Sequence, residues 1–207
     1  MSKASINFKP CLSTSEKHNL REEIPNYVIL GKDNNESWML KRIEDARKEI
    51  EYMAKKVGGR KLQTNCNPIK EAVVNLKPET TIDDLRRLGD VLHKAYRINL
   101  IQIHIHRDEG RRLDDTNVSI NHHAHLVFDW QNKTTGKIVT IGRADMSKVQ
   151  TLTAETLGME RGQVNSKAER LEHGDFRKAK AALDRQIDEK KTTCSKQSSS
   201  CSNQSKT

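Results

Sequence analysis

Asn99-Leu100-Ile101-Gln102-Ile103-His104-Ile105-His106 and, after a polar loop, His122-His123-Ala124-His125-Leu126-Val127-Phe128 are the segments that decide the fold. Both alternate polar with apolar side chains, and successive side chains of a strand point to opposite sheet faces. Ile101, Ile103 and Ile105 are thus expected on one face, with His104 and His106 on the other. By the same rule His123 and His125 face away from Ala124, Leu126 and Phe128. Two strands joined by a loop pair readily as antiparallel neighbours. His106 is then expected beside His123 and His125 on one sheet face.

Three neutral imidazoles converging on one point make a site for a divalent transition metal. Glu109, three residues past His106, is expected as a fourth ligand or as the group that fixes an imidazole tautomer. His104 competes with His106 for the third place. A lone histidine on a sheet face is ordinarily just a solvated polar residue. Five of the eight histidines, however, lie between His104 and His125, four of them at same-facing strand positions. Such an open site would polarise a bound oxygen.

Outward from these strands, strands and helices mix without regular βαβ alternation. The expected class is α+β, an antiparallel sheet with helices packed on one face. Residues 3–12 and Ala72–Leu76 read as strands, and Lys137–Ile141 as a further one after the turn Lys133–Gly136. Met39, Ile43, Ala46, Ile50, Met53 and Val57 form one helical stripe, predicting a helix over Glu36–Val57 that Gly58-Gly59 stops. Thr81 with Asp84 resembles a capping box ahead of Ile82, Leu85, Leu88 and Leu92. Gly110–Asn121 reads as a polar loop. Two more helices are expected, over 144–157 and over 174–190, the second with Phe176, Ala179, Leu183 and Ile187 on its apolar side.

The 207 residues suffice for one domain, expected over 1–191, and a disordered Ser-rich tail over 192–207. No apolar run is long enough for a membrane-spanning helix, and the N-terminus lacks the apolar block of a secretory signal. Four scattered cysteines fit reduced thiols and a cytoplasmic setting. Lys and Arg number 37 against 28 Asp and Glu, a net charge of +9 that favours a polyanionic partner such as nucleic acid.

His106-Arg107-Asp108-Glu109 followed by His123-Ala124-His125 resembles the metal motif of plasmid mobilisation relaxases of the Pre/Mob type, within the HUH endonucleases. His18-Asn19-Leu20-Arg21, with Tyr27 shortly after, is similar to the same family's His-Asn-x-Arg motif. Leu157-Gly158-Met159-Glu160-Arg161-Gly162 is similar to a stretch that follows the sheet in these proteins. Twelve residues separate Glu109 from His122, which stands where the family pattern has Pro.

The resemblance implies an HUH-like fold and an isolated bacterial catalytic domain. It implies metal-dependent nicking of one DNA strand at an origin of transfer, covalent retention of the 5′ phosphate, and conjugative mobilisation of a plasmid. The metal would be Mn²⁺ or Mg²⁺, held by His106, His123 and His125. Single-stranded or hairpin DNA would be the partner, with accessory mobilisation proteins as further partners. His18 would be the nucleophile, with Asn19 or Glu16 orienting its ring and Arg21 clamping phosphate; Tyr27 is the rival nucleophile.

Arg111 and Arg112, on the loop joining the two histidine strands, are expected to touch DNA, as is Arg143. Lys41-Arg42, Lys55-Lys56, Arg60-Lys61 and Arg86-Arg87 are further phosphate-tracking candidates. A rolling-circle replication initiator would place a Tyr after the paired histidines, and no Tyr follows Tyr96. A DNA-binding protein with a structural metal and a metal hydrolase of small substrates are the remaining alternatives.

Overall fold

The alternating segments form a sheet in the computed structural model, which describes residues 3–25, 27–114, 116–164, 166, 175, 178 and 180–187. In chain order the strands are β1 (Lys3–Ala4), β2 (Ile6–Pro10), β3 (Glu36–Met39), β4 (Ile69–Asn75) and β5 (Asn99–His106). They continue with β6 (Gly110–Arg112), β7 (Val118–Ile120), β8 (His123–Asp129) and β9 (Glu160–Arg161). The α-helices of the same unit are α1 (Ser15–Asn19), α2 (Ile43–Lys56), α3 (Ile82–Tyr96) and α4 (Arg143–Thr156). One five-stranded sheet runs β2-β4-β8-β5-β3, each neighbour antiparallel. The class is the α+β one expected.

Register follows the alternation: His106 lies opposite His123, and His104 opposite His125. The pairing slips between Leu100 and Gln102, and Ile101 is the extra residue. A bulge adds a residue to one strand and re-aims its side chain. Ile101 therefore leaves Ile103 and Ile105 and packs among the residues of the opposite face.

On the face away from the histidines, Leu85, Leu88 and Leu92 of α3 are fully buried against Ile103, Ile105, Leu126 and Phe128, and Val149 and Ala154 of α4 join them. The start of α3 is fixed by a complete capping box, with Asp84 serving where Glu or Gln is usual. Ile43, Ala46 and Ile50 of α2 pack with Ile69, Ile101 and Val127 on the other face. One-sided helix packing thus describes α3 and α4, while α2 covers part of the histidine face. The uncovered part of that face receives α1.

Three local readings change. The helix expected from Glu36 begins only at Ile43, because Glu36–Met39 pairs along β5 as an edge strand. Strand pairing of half-buried side chains outweighs a helical stripe there. The loop expected over Gly110–Asn121 contains the β6–β7 hairpin. At Gly110 a Cβ would lie 2.3 Å from the Ser119 carbonyl oxygen, so only glycine fits that crossing. Lys137–Ile141 reduces to a single bridge between Gln131 and Ile138.

The chain forms two compact units, Met1–Val164 and Asn165–Thr207. In the second, residues 175, 178 and 180–187 are helical, with Leu183 and Ile187 exposed. Phe176, Ala179 and the expected tail over 192–207 lie outside the described residues. Among the described residues no helix is long and apolar enough to cross a membrane.

Candidate metal centre

Strand alternation brings His106, His123 and His125 to one buried patch, with ring centroids 5.2 Å apart for His106–His123, 4.8 Å for His106–His125 and 5.2 Å for His123–His125. Each ring has one nitrogen committed to an acceptor. His106 Nε2 donates to the Asn19 carbonyl at 3.0 Å, and its buried Nδ1 has no partner among the described residues. His125 Nδ1 donates to Glu71 Oε1 at 2.5 Å, and its buried Nε2 has none. His123 Nδ1 donates to the Asn121 carbonyl at 2.8 Å, leaving Nε2 3.7 Å from Glu109 Oε2. A carbonyl can only accept, so the tautomers of His106 and His123 are fixed and the free nitrogens carry lone pairs.

Two overlapping sets of side chains present ligand atoms within 4.8 Å of one another: His106, Glu109 and His123, and His18, His106 and His125. His106 belongs to both. Unpaired buried lone pairs beside a carboxylate fit a divalent metal, because a dry, neutral imidazole nitrogen with no proton to accept gains most from a cation. Burial pushes His106 far below its usual pKa and His125 down to about 4, despite the pull of Glu71. These two rings are therefore neutral, as ligands must be.

Glu71 is the residue missed by reading the sequence. It lies on β4, 1% exposed, opposite Val127 on the histidine face. Burial alone would raise its carboxyl, but the bond from His125 and the charge of Lys9, 3.7 Å away, hold it well below the carboxylate range. Its other oxygen accepts from Ser15 Oγ at 3.3 Å, tying α1 to the sheet. The signal was available: a carboxylate two positions before Val73, directly ahead of the apolar run Ala72–Val74.

α1 carries His18 over the patch, with its ring 5.7 Å from His106 and 5.3 Å from His125. Burial, then the charge of Arg21, lowers its pKa, so the ring is neutral at pH 7. Neither Asn19 nor Glu16 orients that ring by a hydrogen bond. Asn19 serves through its carbonyl to His106, and Glu16 accepts from Gln102 Nε2 at 2.7 Å.

Arg21 is not poised to clamp a phosphate. Its side chain is 2% exposed and grips Asp108 with Nε and Nη2, both at 2.8 Å, while Nη2 also reaches Glu109 at 2.6 Å. These bonds hold its backbone in the left-handed region, φ 55°, uncommon without glycine. The residue thereby locks the end of α1 to Asp108 and Glu109.

His104 is excluded as a ligand. Its Nδ1 bonds Ser37 Oγ at 2.9 Å and its Nε2 bonds Gln102 Oε1 at 3.2 Å, so no lone pair remains. Tyr27 is half-buried, and burial together with the Glu109 charge raises its phenol pKa. Arg111 and Arg112 stand exposed on β6, just beyond Glu109. Arg143 is elsewhere: it opens α4, whose Asp145 carbonyl accepts from Tyr96 at 3.3 Å, near the Asn99 end of β5. That end is about 20 Å along the strand from His106, and α4 covers the opposite face.

No protein-family model matches the chain, and no curated protein matches it in sequence. Among solved structures, the MobM relaxase domain (MOBV; Mob_Pre), Mn-bound and in complex with plasmid pMV158 oriT DNA, has the same fold. Three such structures give TM-scores of 0.63, 0.62 and 0.64 at 17%, 16% and 15% identity. They cover 86%, 86% and 87% of this chain and 99%, 100% and 99% of theirs.

Proposed function

We propose that the protein is a relaxase that nicks one DNA strand at an origin of transfer and keeps the 5′ end on His18, starting plasmid mobilisation in a bacterial cytoplasm. One observation carries this reading: a neutral His18 lies over His106 and His125, whose buried free nitrogens have no hydrogen-bond partner among the described residues, and His106 also comes within ligand distance of Glu109 and His123. The shared fold with a relaxase domain described as Mn-bound and oriT-bound supports it.

His106 would hold the metal through Nδ1, and His123 and His125 through Nε2, with Glu109 as the neighbouring carboxylate. When bound, the cation neutralises charge on the scissile phosphate. A nitrogen-rich set suits Mn²⁺ better than Mg²⁺, which prefers oxygen. Glu71 and the Asn19 and Asn121 carbonyls keep the imidazoles in the tautomers described above. Arg21 acts as a positioning residue through Asp108 and Glu109.

The His18 lone pair attacks phosphorus, an N–P bond forms, and the P–O3′ bond breaks. The ring's other nitrogen then releases its proton, and the departing 3′-oxygen takes one up from water. Arg111 and Arg112 rim the site on the β6–β7 hairpin and contact the strand's phosphates.

The test is direct. Supercoiled plasmid carrying the cognate origin, incubated with the protein and Mn²⁺, should become relaxed circles with protein on the 5′ end. Binding without relaxation would instead identify a DNA-binding protein with a structural metal. Glu71→Ala should raise the Mn²⁺ dissociation constant about 10- to 100-fold by freeing the His125 ring, which calorimetry with Mn²⁺ would measure.

A further inference from the structure

Several exposed cations on the helices have carboxylate partners: Lys48 with Glu44, Arg86 with Asp83, Arg87 with Asp84, and Lys148 with Asp145. Lys41 and Arg42 likewise pair with Glu49 and Glu16. Arg47, Lys55, Arg60, Lys61 and Lys137 are all exposed, and among the described residues none has an ion pair or a side-chain hydrogen bond.

These five unpaired cations share one place. Arg60, Lys61 and Lys137 line a groove of about 450 Å³ between the end of α2 and the 136–138 turn. Arg47, Lys55 and Lys61 line a second, of about 320 Å³, along α2, and Lys61 and Leu62 belong to both. Glu51 is the acidic residue facing the second groove. Arg47 and Lys55 sit two turns apart on α2, about 12 Å. The loop holding Lys61 leads directly into Ile69, two residues before Glu71 on β4. Arg47 also reaches electrostatically to Cys11, just ahead of α1. The second groove starts at Arg47, one turn into α2, whose Ile43 N–H donates to Glu16 of α1, and the first lies farther off, where Ile138 bridges Gln131 beyond the Asp129 end of β8.

Unpaired cations crowded into a groove repel one another, and a polyanion relieves that repulsion. A chain of phosphates at regular spacing matches an elongated row of cations better than a single small anion does. We propose that Arg47, Lys55, Arg60, Lys61 and Lys137 form a track for the phosphodiester backbone of a single DNA strand running away from His18. The track rests on the nicking function above.

The experiment is fluorescence anisotropy of a mixed-sequence single-stranded oligonucleotide of about 30 nucleotides, over a series of salt concentrations. Arg47→Glu with Lys61→Glu is compared with Lys48→Glu with Lys148→Glu, which changes net charge equally on paired positions. The groove variant should weaken binding at least about tenfold and reduce the slope of log affinity against log salt by about 1.4, two phosphate contacts' worth. The control should keep the wild-type slope. Lys55→Gln with Lys137→Gln should shift the slope in the same direction, with an unchanged melting curve establishing that the fold persists.

An unchanged slope in the groove variants, or an equal loss in the control, overturns the track alone. Loss of binding to phosphatidylserine vesicles with an intact oligonucleotide slope overturns it in favour of a membrane surface. A wild-type chain that binds no oligonucleotide overturns the track and the nicking reading together.

Discussion

His18→Ala should abolish the covalent protein–DNA adduct and slow nicking by more than about a thousandfold, while Tyr27→Phe nicks nearly as wild type does. The two candidates differ in what their surroundings do to the reactive form. Burial lowers the His18 pKa, which leaves a lone pair available at pH 7. Burial and the Glu109 charge raise the Tyr27 pKa, which withdraws the phenolate a tyrosine nucleophile needs. His18 lies over the rings of His106 and His125, held by Ser15 to Glu71 on one side and by Arg21 to Asp108 on the other.

The chemistry of the adduct gives an independent reading, since an N–P bond to histidine is acid-labile and an O–P bond to tyrosine is not. With the label on the 5′ phosphate, an acid-stable adduct that persists in His18→Ala and disappears in Tyr27→Phe would sink the assignment. The pH profile carries the same sign. Activity should fall on the acid side through a pKa below 6.5, as the His18 ring takes up its proton.

Much of the sheet was legible because a period of two has one physical meaning: alternate side chains face opposite ways. The pairing of His106 with His123 followed from that rule and a connecting loop. Ile101 escaped it because a bulge shifts facing without leaving a mark in the composition. β3 escaped because Met39, Ile43, Ala46 and Ile50 continue a helical stripe, and only the neighbouring β5 decides that residues 36–39 extend instead.

At the site, ligand-type residues were visible but their hydrogen-bond partners were not. His104 and His106 are equivalent by spacing. Ser37 and Gln102, far apart in sequence, occupy both nitrogens of the first. Arg21 reads as a phosphate clamp until Asp108, 87 residues away, is seen gripping it. Glu71 was passed over because a single acid next to an apolar run carries no motif. Its role depends on where His125 lands.

The contrast between His104 and His106 gives the second large effect. His106→Ala should weaken Mn²⁺ binding by at least about 100-fold and abolish nicking, since His106 is the ring common to both ligand sets. His104→Ala should leave Mn²⁺ affinity near wild type and instead lower stability by about 1–3 kcal/mol, because the Gln102 carbonyl oxygen and the Ser37 hydroxyl lose a buried partner.

Calorimetry with Mn²⁺ and urea denaturation separate the two outcomes. Metal binding lost in His104→Ala but kept in His106→Ala would reverse the assignment. Acid titration adds a sign. Burial holds both His104 and His125 at about 4 in the folded chain, against 6.5 when unfolded. In chelator the unfolded state then binds more protons between those values, so the stabilisation is complete above pH 6.5 and is lost as the pH falls towards 4. The urea midpoint should fall over that window. His104→Ala should flatten the fall, since one of the buried rings that resist protonation is then gone, and an equally steep fall in that variant would remove His104 from the account.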